Sequence, residues 1–135
     1  MPTESSLIKI TSIENKGENI SFFSEREINL NGSPERFLSE QISAENFRLR
    51  TSDNHYSSTW HVAGDPTLLI ILTGIVRIEL RSGETRDFKP GEMFIASDYL
   101  EKGVSFDDKK HGHRAEVVGD AELTAIHLKL EKRSI

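Results

Sequence analysis

Five consecutive residues, Leu68-Leu69-Ile70-Ile71-Leu72, constrain this chain more than any others. In an extended backbone Leu68, Ile70 and Leu72 point one way and Leu69 and Ile71 the other, so the strand is apolar on both faces. A strand of that kind has to be covered on both sides. One face fills the chain's own core. The other needs a second layer, from N-terminal strands or from another subunit, and we expect another subunit in an isologous homodimer. The run is far short of the ~20 apolar residues a membrane helix needs, so no membrane association is expected. Gly74 then breaks the strand, because glycine reaches backbone angles that other residues adopt only with strain.

Alternation returns after the break. Val76, Ile78 and Leu80 share one face and Arg77, Glu79 and Arg81 the other, the pattern of a half-buried strand. Ser82-Gly83 reads as a hairpin turn, Thr85 to Phe88 as the return strand, and Lys89-Pro90-Gly91-Glu92 as a second turn into Met93-Phe94-Ile95-Ala96. Upstream, Leu7 to Ile10 reads as a short edge strand after a loose end at residues 1–6. Ile20 to Phe23 reads as a strand, and Asn31-Gly32-Ser33-Pro34 as a turn that leaves room for one helical turn up to Leu38. Phe37 to Ile42 and Phe47 to Thr51 read as a hairpin around Ser43–Asn46. In its second strand Phe47, Leu49 and Thr51 share one face, and Arg48 and Arg50 the other. Ser97 to Gly112 is a charged, irregular loop, long enough to be functional or mobile. Arg114 to Val118 and Leu123 to Leu130 are the last strands, with His127 placed on an outer face.

Short strands with turns at close spacing, and no sustained 3.6-residue period, predict an all-β antiparallel sandwich or barrel. At 135 residues the chain has the length of one domain, with residues 1–36 as N-terminal strands and arm and 37–130 as the barrel. It has no cysteine, hence no disulfide framework, thiolate metal site or thiol nucleophile. The formal net charge of −5 argues against a nucleic-acid partner. The densest basic run, Lys109 to Arg114, directly follows Asp107-Asp108. Residues 1–6 lack the basic-then-apolar layout of a signal peptide, and a cytoplasmic location is expected. No serine-nucleophile motif, phosphate-binding glycine loop or dinucleotide fingerprint occurs.

His61, Gly74, Pro90-Gly91 and His113 together resemble a small single-domain cupin, a jelly-roll β-barrel with extra N-terminal strands here. The first cupin motif runs His-x-His, three or four residues, Glu, six residues, Gly. His61 takes its first position and Gly74 its last, whereas Ala63 stands where the second histidine would be and Thr67 where the glutamate would be. Pro90-Gly91-Glu92 matches the second motif's turn, and His113 is the candidate for its histidine. The resemblance covers residues 37–130 and is closest to small bacterial cupins of unassigned role. The wider family includes metal-dependent dioxygenases, sugar isomerases and non-catalytic binding proteins.

The resemblance implies a site at the barrel mouth built from His61, Trp60, Thr67, His113, Asp98 and Tyr56. His61 and His113 are its candidate ligands for a divalent transition metal (Fe, Mn, Ni or Zn). With two of the usual four ligands replaced, a metal-free site is favoured, unless Asp65, Glu92, Asp98, Glu101 or His111 moves in. His61 reads equally as a ligand contact and as a mouth histidine satisfied by hydrogen bonds, while His55 and His127 read as incidental. Asp98 and Glu101 can act as acid or base if their loop folds over the mouth. The expected function is small-molecule binding in a sensor or accessory protein; the alternative is a metal-dependent oxygenase or isomerase with a rearranged His61/His113 site.

Overall fold

The computed structural model describes residues 3–132. The sequence reading of residues 1 and 2 as loose lies outside them, as do residues 133–135 at the chain's other end. The strands are β1 (Glu4–Lys16), β2 (Ile20–Ser33), β3 (Arg36–Ser39), β4 (Ala44–Ser52), β5 (Thr67–Thr73), β6 (Ile75–Leu80), β7 (Thr85–Phe88), β8 (Met93–Ala96), β9 (His113–Val118) and β10 (Leu123–Leu130). They form a seven-stranded sheet, β3-β2-β1-β8-β5-β10-β4, facing a three-stranded sheet, β7-β6-β9. Residues 56–61 run beside β9 as a broken fourth strand, bridging it at Ser57 to Glu116 and at His61 to His113.

From β4 onward the chain alternates between the two layers. β4 lies in the large sheet, 56–61 in the small one, β5 in the large, β6 and β7 in the small, β8 in the large, β9 in the small and β10 in the large. This is the double Greek-key arrangement of a jelly roll, all-β as the short strands and turns predict. Val76, Ile78, Leu80, Phe88, Ala115 and Val117 from the small sheet meet Ile13, Ile71, Phe94, Ala96, Leu123 and Ala125 from the large one in a single apolar core.

Two local expectations are corrected. Leu7 to Ile10 is part of a 13-residue strand in the sheet interior, paired along its whole length with β2 and, through Thr11–Ile13, in parallel with β8. That strand begins at Glu4, inside the segment read as loose. The hairpin expected between Phe37 and Thr51 does not form, nor does a helical turn before Leu38: β3 pairs with β2, and β4 pairs with β10. No glycine or proline sits between Ser39 and Ala44 to close a tight turn, and β10 offers β4 a longer edge.

Glu40 to Ser43 therefore joins the two outermost strands of the large sheet. Six flat strand spacings of ~4.8 Å would separate these strands by ~29 Å, against a reach of ~18 Å for this connection. The sheet must curl, and residues 40–42 run beside Arg26–Asn29 of β2. On the sheet's outer face Ile10, Ser12 and Ile95 are buried, with 8, 0 and 0% exposure. Phe47, Leu49 and Leu72 at the β4–β10–β5 end stay 66, 71 and 44% exposed.

Candidate functional site

Two histidines distant in sequence stand side by side at the mouth between the sheets. Val117 donates its N–H to the Tyr56 carbonyl and Ser58 donates to that of Ala115. His61 and His113 exchange both backbone hydrogen bonds at 2.9 Å each. That close approach requires glycine at position 112. Its φ is +83°, and a Cβ there would lie 2.4 Å from the His61 carbonyl oxygen. The two imidazole rings end 4.7 Å apart, centroid to centroid, and tilted by 57°.

Each ring is held by its Nδ1. The His61 Nδ1 is 2.8 Å from the Thr59 carbonyl and the His113 Nδ1 2.7 Å from Asp98 Oδ2. A carbonyl and a carboxylate only accept, so both Nδ1 atoms carry the proton and each Nε2 is left for other partners. Burial lowers the His61 pKa. The bond to Thr59 works against that and the His113 ring adds to it, so the pKa ends below the usual histidine value. At neutral pH the His61 Nε2 is therefore an acceptor.

Asp98 is fully buried and is spent on structure. Its Oδ2 accepts from His113 and, at 2.6 Å, from the Ser21 hydroxyl; its Oδ1 accepts from the Ala63 N–H at 2.9 Å. Burial alone would push its pKa up. The bonds from His113, Ser21 and Ala63 outweigh that and hold it below the ordinary aspartate value. The loop that carries it is tied to the β1–β2 hairpin. Ser97 donates to the Ile13 carbonyl, and the Asn15 and Asn19 side chains accept from the Tyr99 and Glu101 N–H groups.

Below the mouth lies a pocket of about 230 Å³, a little under the ~300 Å³ at which the usual range of ligand sites begins. Its polar lining is Arg50, His61, Thr67, His113 and His127. Leu69, Val76, Ile78, Phe94 and Ala115 supply the apolar walls. His127 thus faces inward, not outward as the sequence suggested, because its strand neighbour Ala125 is a core residue on the same face. Its Nε2 is buried without a hydrogen-bond partner. Burial, then the charges of Arg50 and Arg48, lower its pKa below the usual value. The sequence reading does not single out Arg50, and it takes His127 as incidental. The available signal was their strict alternation with apolar neighbours, which does not say which face is inside.

Of the six residues expected at the site, His61, Thr67 and His113 line the pocket. Asp98 lies behind His113, its side chain turned away from the cavity and onto the hydrogen bonds already described. Tyr56 sits outside, its ring 4.9 Å from the Arg50 guanidinium carbon. Trp60 is stacked between Arg81, 3.8 Å from its ring centroid, and Arg114, at 5.3 Å.

The residues present do not fit a cupin metal centre. Among the described residues no group of three or more His, Asp or Glu converges on one point. Asp65 pairs with Lys129, Glu92 caps the Lys89 N–H, and His111 Nδ1 accepts from the Asp107 N–H. Glu101 is exposed on the loop.

No family model matches the sequence, and no curated protein matches it. Similar solved structures include a protein from Neisseria meningitidis (16% identity, TM-score 0.45, covering 67% of this chain and 84% of that one). A cupin-2 domain protein from Shewanella frigidimarina is similar at 19% identity and TM-score 0.45, covering 67% and 78%. A cupin superfamily protein from Desulfitobacterium hafniense is similar at 12% identity and TM-score 0.41, covering 93% and 77%. Among the described residues no helix is long and apolar enough to cross a membrane. By its own strand order and sheet pairing, the chain is an all-β jelly roll.

Proposed function

We propose that this chain is a small-molecule-binding cupin, a sensor or accessory protein of the cytoplasm, which holds its ligand between the sheets without a metal. One observation carries the reading. The pocket gathers its polar groups, three histidines, an arginine and a threonine, among apolar walls, while the one nearby carboxylate is consumed by Ser21, Ala63 and His113. Such a cavity orients a ligand by a few polar contacts and excludes water with the rest. The N-terminal ribbon belongs to the same folding unit, since Ile13 packs in the core.

The second reading is a metal-dependent oxygenase or isomerase. It draws support from the His113–Asp98 pair, because a carboxylate on Nδ1 is the usual outer-shell partner of a metal-ligating histidine. Elemental analysis of protein purified without tag or chelator separates the two, run beside a His61→Ala/His113→Ala variant. A full equivalent of transition metal, lost in the variant, would sink the metal-free reading. Sub-stoichiometric metal, unchanged in the variant, retires the enzyme reading and moves the work to ligand screening by thermal shift.

A second copy of the chain is the proposed cover for the open end of the outer face. There Phe47, Leu128 and Leu68 lie in one cross-strand row, and Leu49, Ile126, Ile70 and Met93 in the next. Contiguous apolar rows of this extent on a sheet face mark an interaction surface, and a self-complementary patch closes as a twofold dimer.

A further inference from the structure

Strand β4 is inside out. Its register on β10 sets Arg50 opposite Ala125 and Arg48 opposite His127, the inward face, and sets Leu49 and Phe47 opposite Ile126 and Leu128, the outward face. Arg48 at the end of that face is exposed, but Arg50 is partly buried, and a charge withdrawn from water calls for polar partners. Arg50 lines the pocket, yet none of the pocket's lining residues is acidic. Among the described residues no carboxylate forms an ion pair with it. Its Nε donates to the Ser52 hydroxyl at 3.0 Å, and the Tyr56 ring packs against its plane. Those two contacts hold the guanidinium in place, and among the described residues neither Nη group has a hydrogen-bond partner.

We propose that Arg50 anchors an anion subsite and that the ligand is a small organic carboxylate with an apolar body. This rests on the reading of the pocket as a ligand site. A carboxylate accepts two parallel N–H bonds from the free Nη edge, the geometry for which arginine is chosen over lysine. The unpartnered His127 Nε2 at the same end supplies a further polar contact. Leu69, Val76, Ile78 and Phe94 take the ligand's hydrocarbon part, so an organic acid fits where a bare inorganic oxyanion leaves the apolar walls unused. The carboxylates around the subsite are committed elsewhere. Asp53 accepts from the His55 N–H, Glu45 and Asp65 pair with Lys129, and Asp98 is bound by three donors.

The test is calorimetric titration of wild type, Arg50→Gln and Arg50→Lys with benzoate and isovalerate, with benzamide and isovaleramide as uncharged counterparts, and with inorganic phosphate. The expected result is carboxylate binding that weakens about ten- to a hundredfold in Arg50→Gln and less in Arg50→Lys, with the amides much weaker than the acids and insensitive to the change. In wild type, ring signals of His127 and His61 followed by NMR during the benzoate titration locate the ligand without relying on any variant's folding. Amides that bind as tightly as acids, phosphate that binds as tightly as benzoate, or benzoate affinity unchanged by Arg50→Gln would each overturn the anion subsite while leaving the pocket a ligand site. If neither acids nor amides move the histidine signals at about 10 mM, both readings fall.

Discussion

Replacing Asp98 by alanine removes one acceptor from three donors at once. The His113 Nδ1–H at 2.7 Å, the Ser21 hydroxyl at 2.6 Å and the Ala63 N–H at 2.9 Å all converge on it, and the carboxylate itself is inaccessible to water. The partners come from β9, β2 and the segment before β5, so one side chain ties the N-terminal ribbon to both sheets. Breaking a buried, hydrogen-bonded charge pair from one side costs about 3–5 kcal/mol, because the abandoned donors stay buried. At about 3–5 °C per kcal/mol for a chain of this size, the melting temperature should fall by about 10–20 °C. Asp98→Asn keeps an acceptor for Ala63 and should lose roughly half as much. Calorimetry and urea titration at pH 7 read both variants. The native-state pKa of Asp98 lies below 3.8, so its contribution is complete above that value and is lost as pH falls through the lower native pKa. The gap between wild type and Asp98→Ala should therefore close in strong acid. A loss under about 1 kcal/mol at pH 7, or a gap that widens on acidification, would refute the assignment of Asp98 as a structural anion.

Three further outcomes follow from the same geometry. Gly112→Ala places a Cβ against the His61 carbonyl at a positive φ and should cost more than about 2 kcal/mol in urea titration; a neutral result would mean that the His61–His113 bridge is not tight. His127 and His61 have native pKa values below 6.5, so the unfolded chain binds more protons in that window and stability should fall as pH drops from 6.5 toward about 5. His127→Leu removes an unpartnered buried nitrogen, so it should gain about 1 kcal/mol near pH 6 and flatten that slope in thermal melts; a steeper slope would count against it. Leu49→Glu puts a charge at the most exposed end of the apolar rows and should convert a dimer into monomers by light scattering; a wild type that is monomeric at high concentration rules the dimer out.

Much of the barrel is legible in the residues. The doubly apolar β5, the break at Gly74, the alternation of β6, the turns at Ser82-Gly83 and Pro90-Gly91 and the span of β10 all follow from local backbone preference and side-chain period. The site is less so. His61 and His113 are visible as isolated histidines beside strands, but Asp98 sits 77 residues from its partner Ser21 and 15 from His113, and no local pattern connects them. The long loop after β8 reads as functional or mobile on its length alone, because the distant partners that fix its start are not visible in sequence. In the fold Asn15, Asn19 and Ser21 supply them.

The sequence by itself determines which residues share a face, because side chains alternate along an extended chain whatever surrounds it. Only the tertiary structure decides which face is inside, and β4 shows why. Phe47 and Leu49 on one side and Arg48 and Arg50 on the other would by solvation alone put the arginines out. The choice depends on register, and a slip of one residue exchanges the faces. Here the pairing of Ala125 with both Ile71 and Arg50 orients the strand, leaving its phenylalanine and leucine exposed and its arginine in the pocket. That inversion lies in contacts between strands far apart in the chain, where neither propensity nor period can register it.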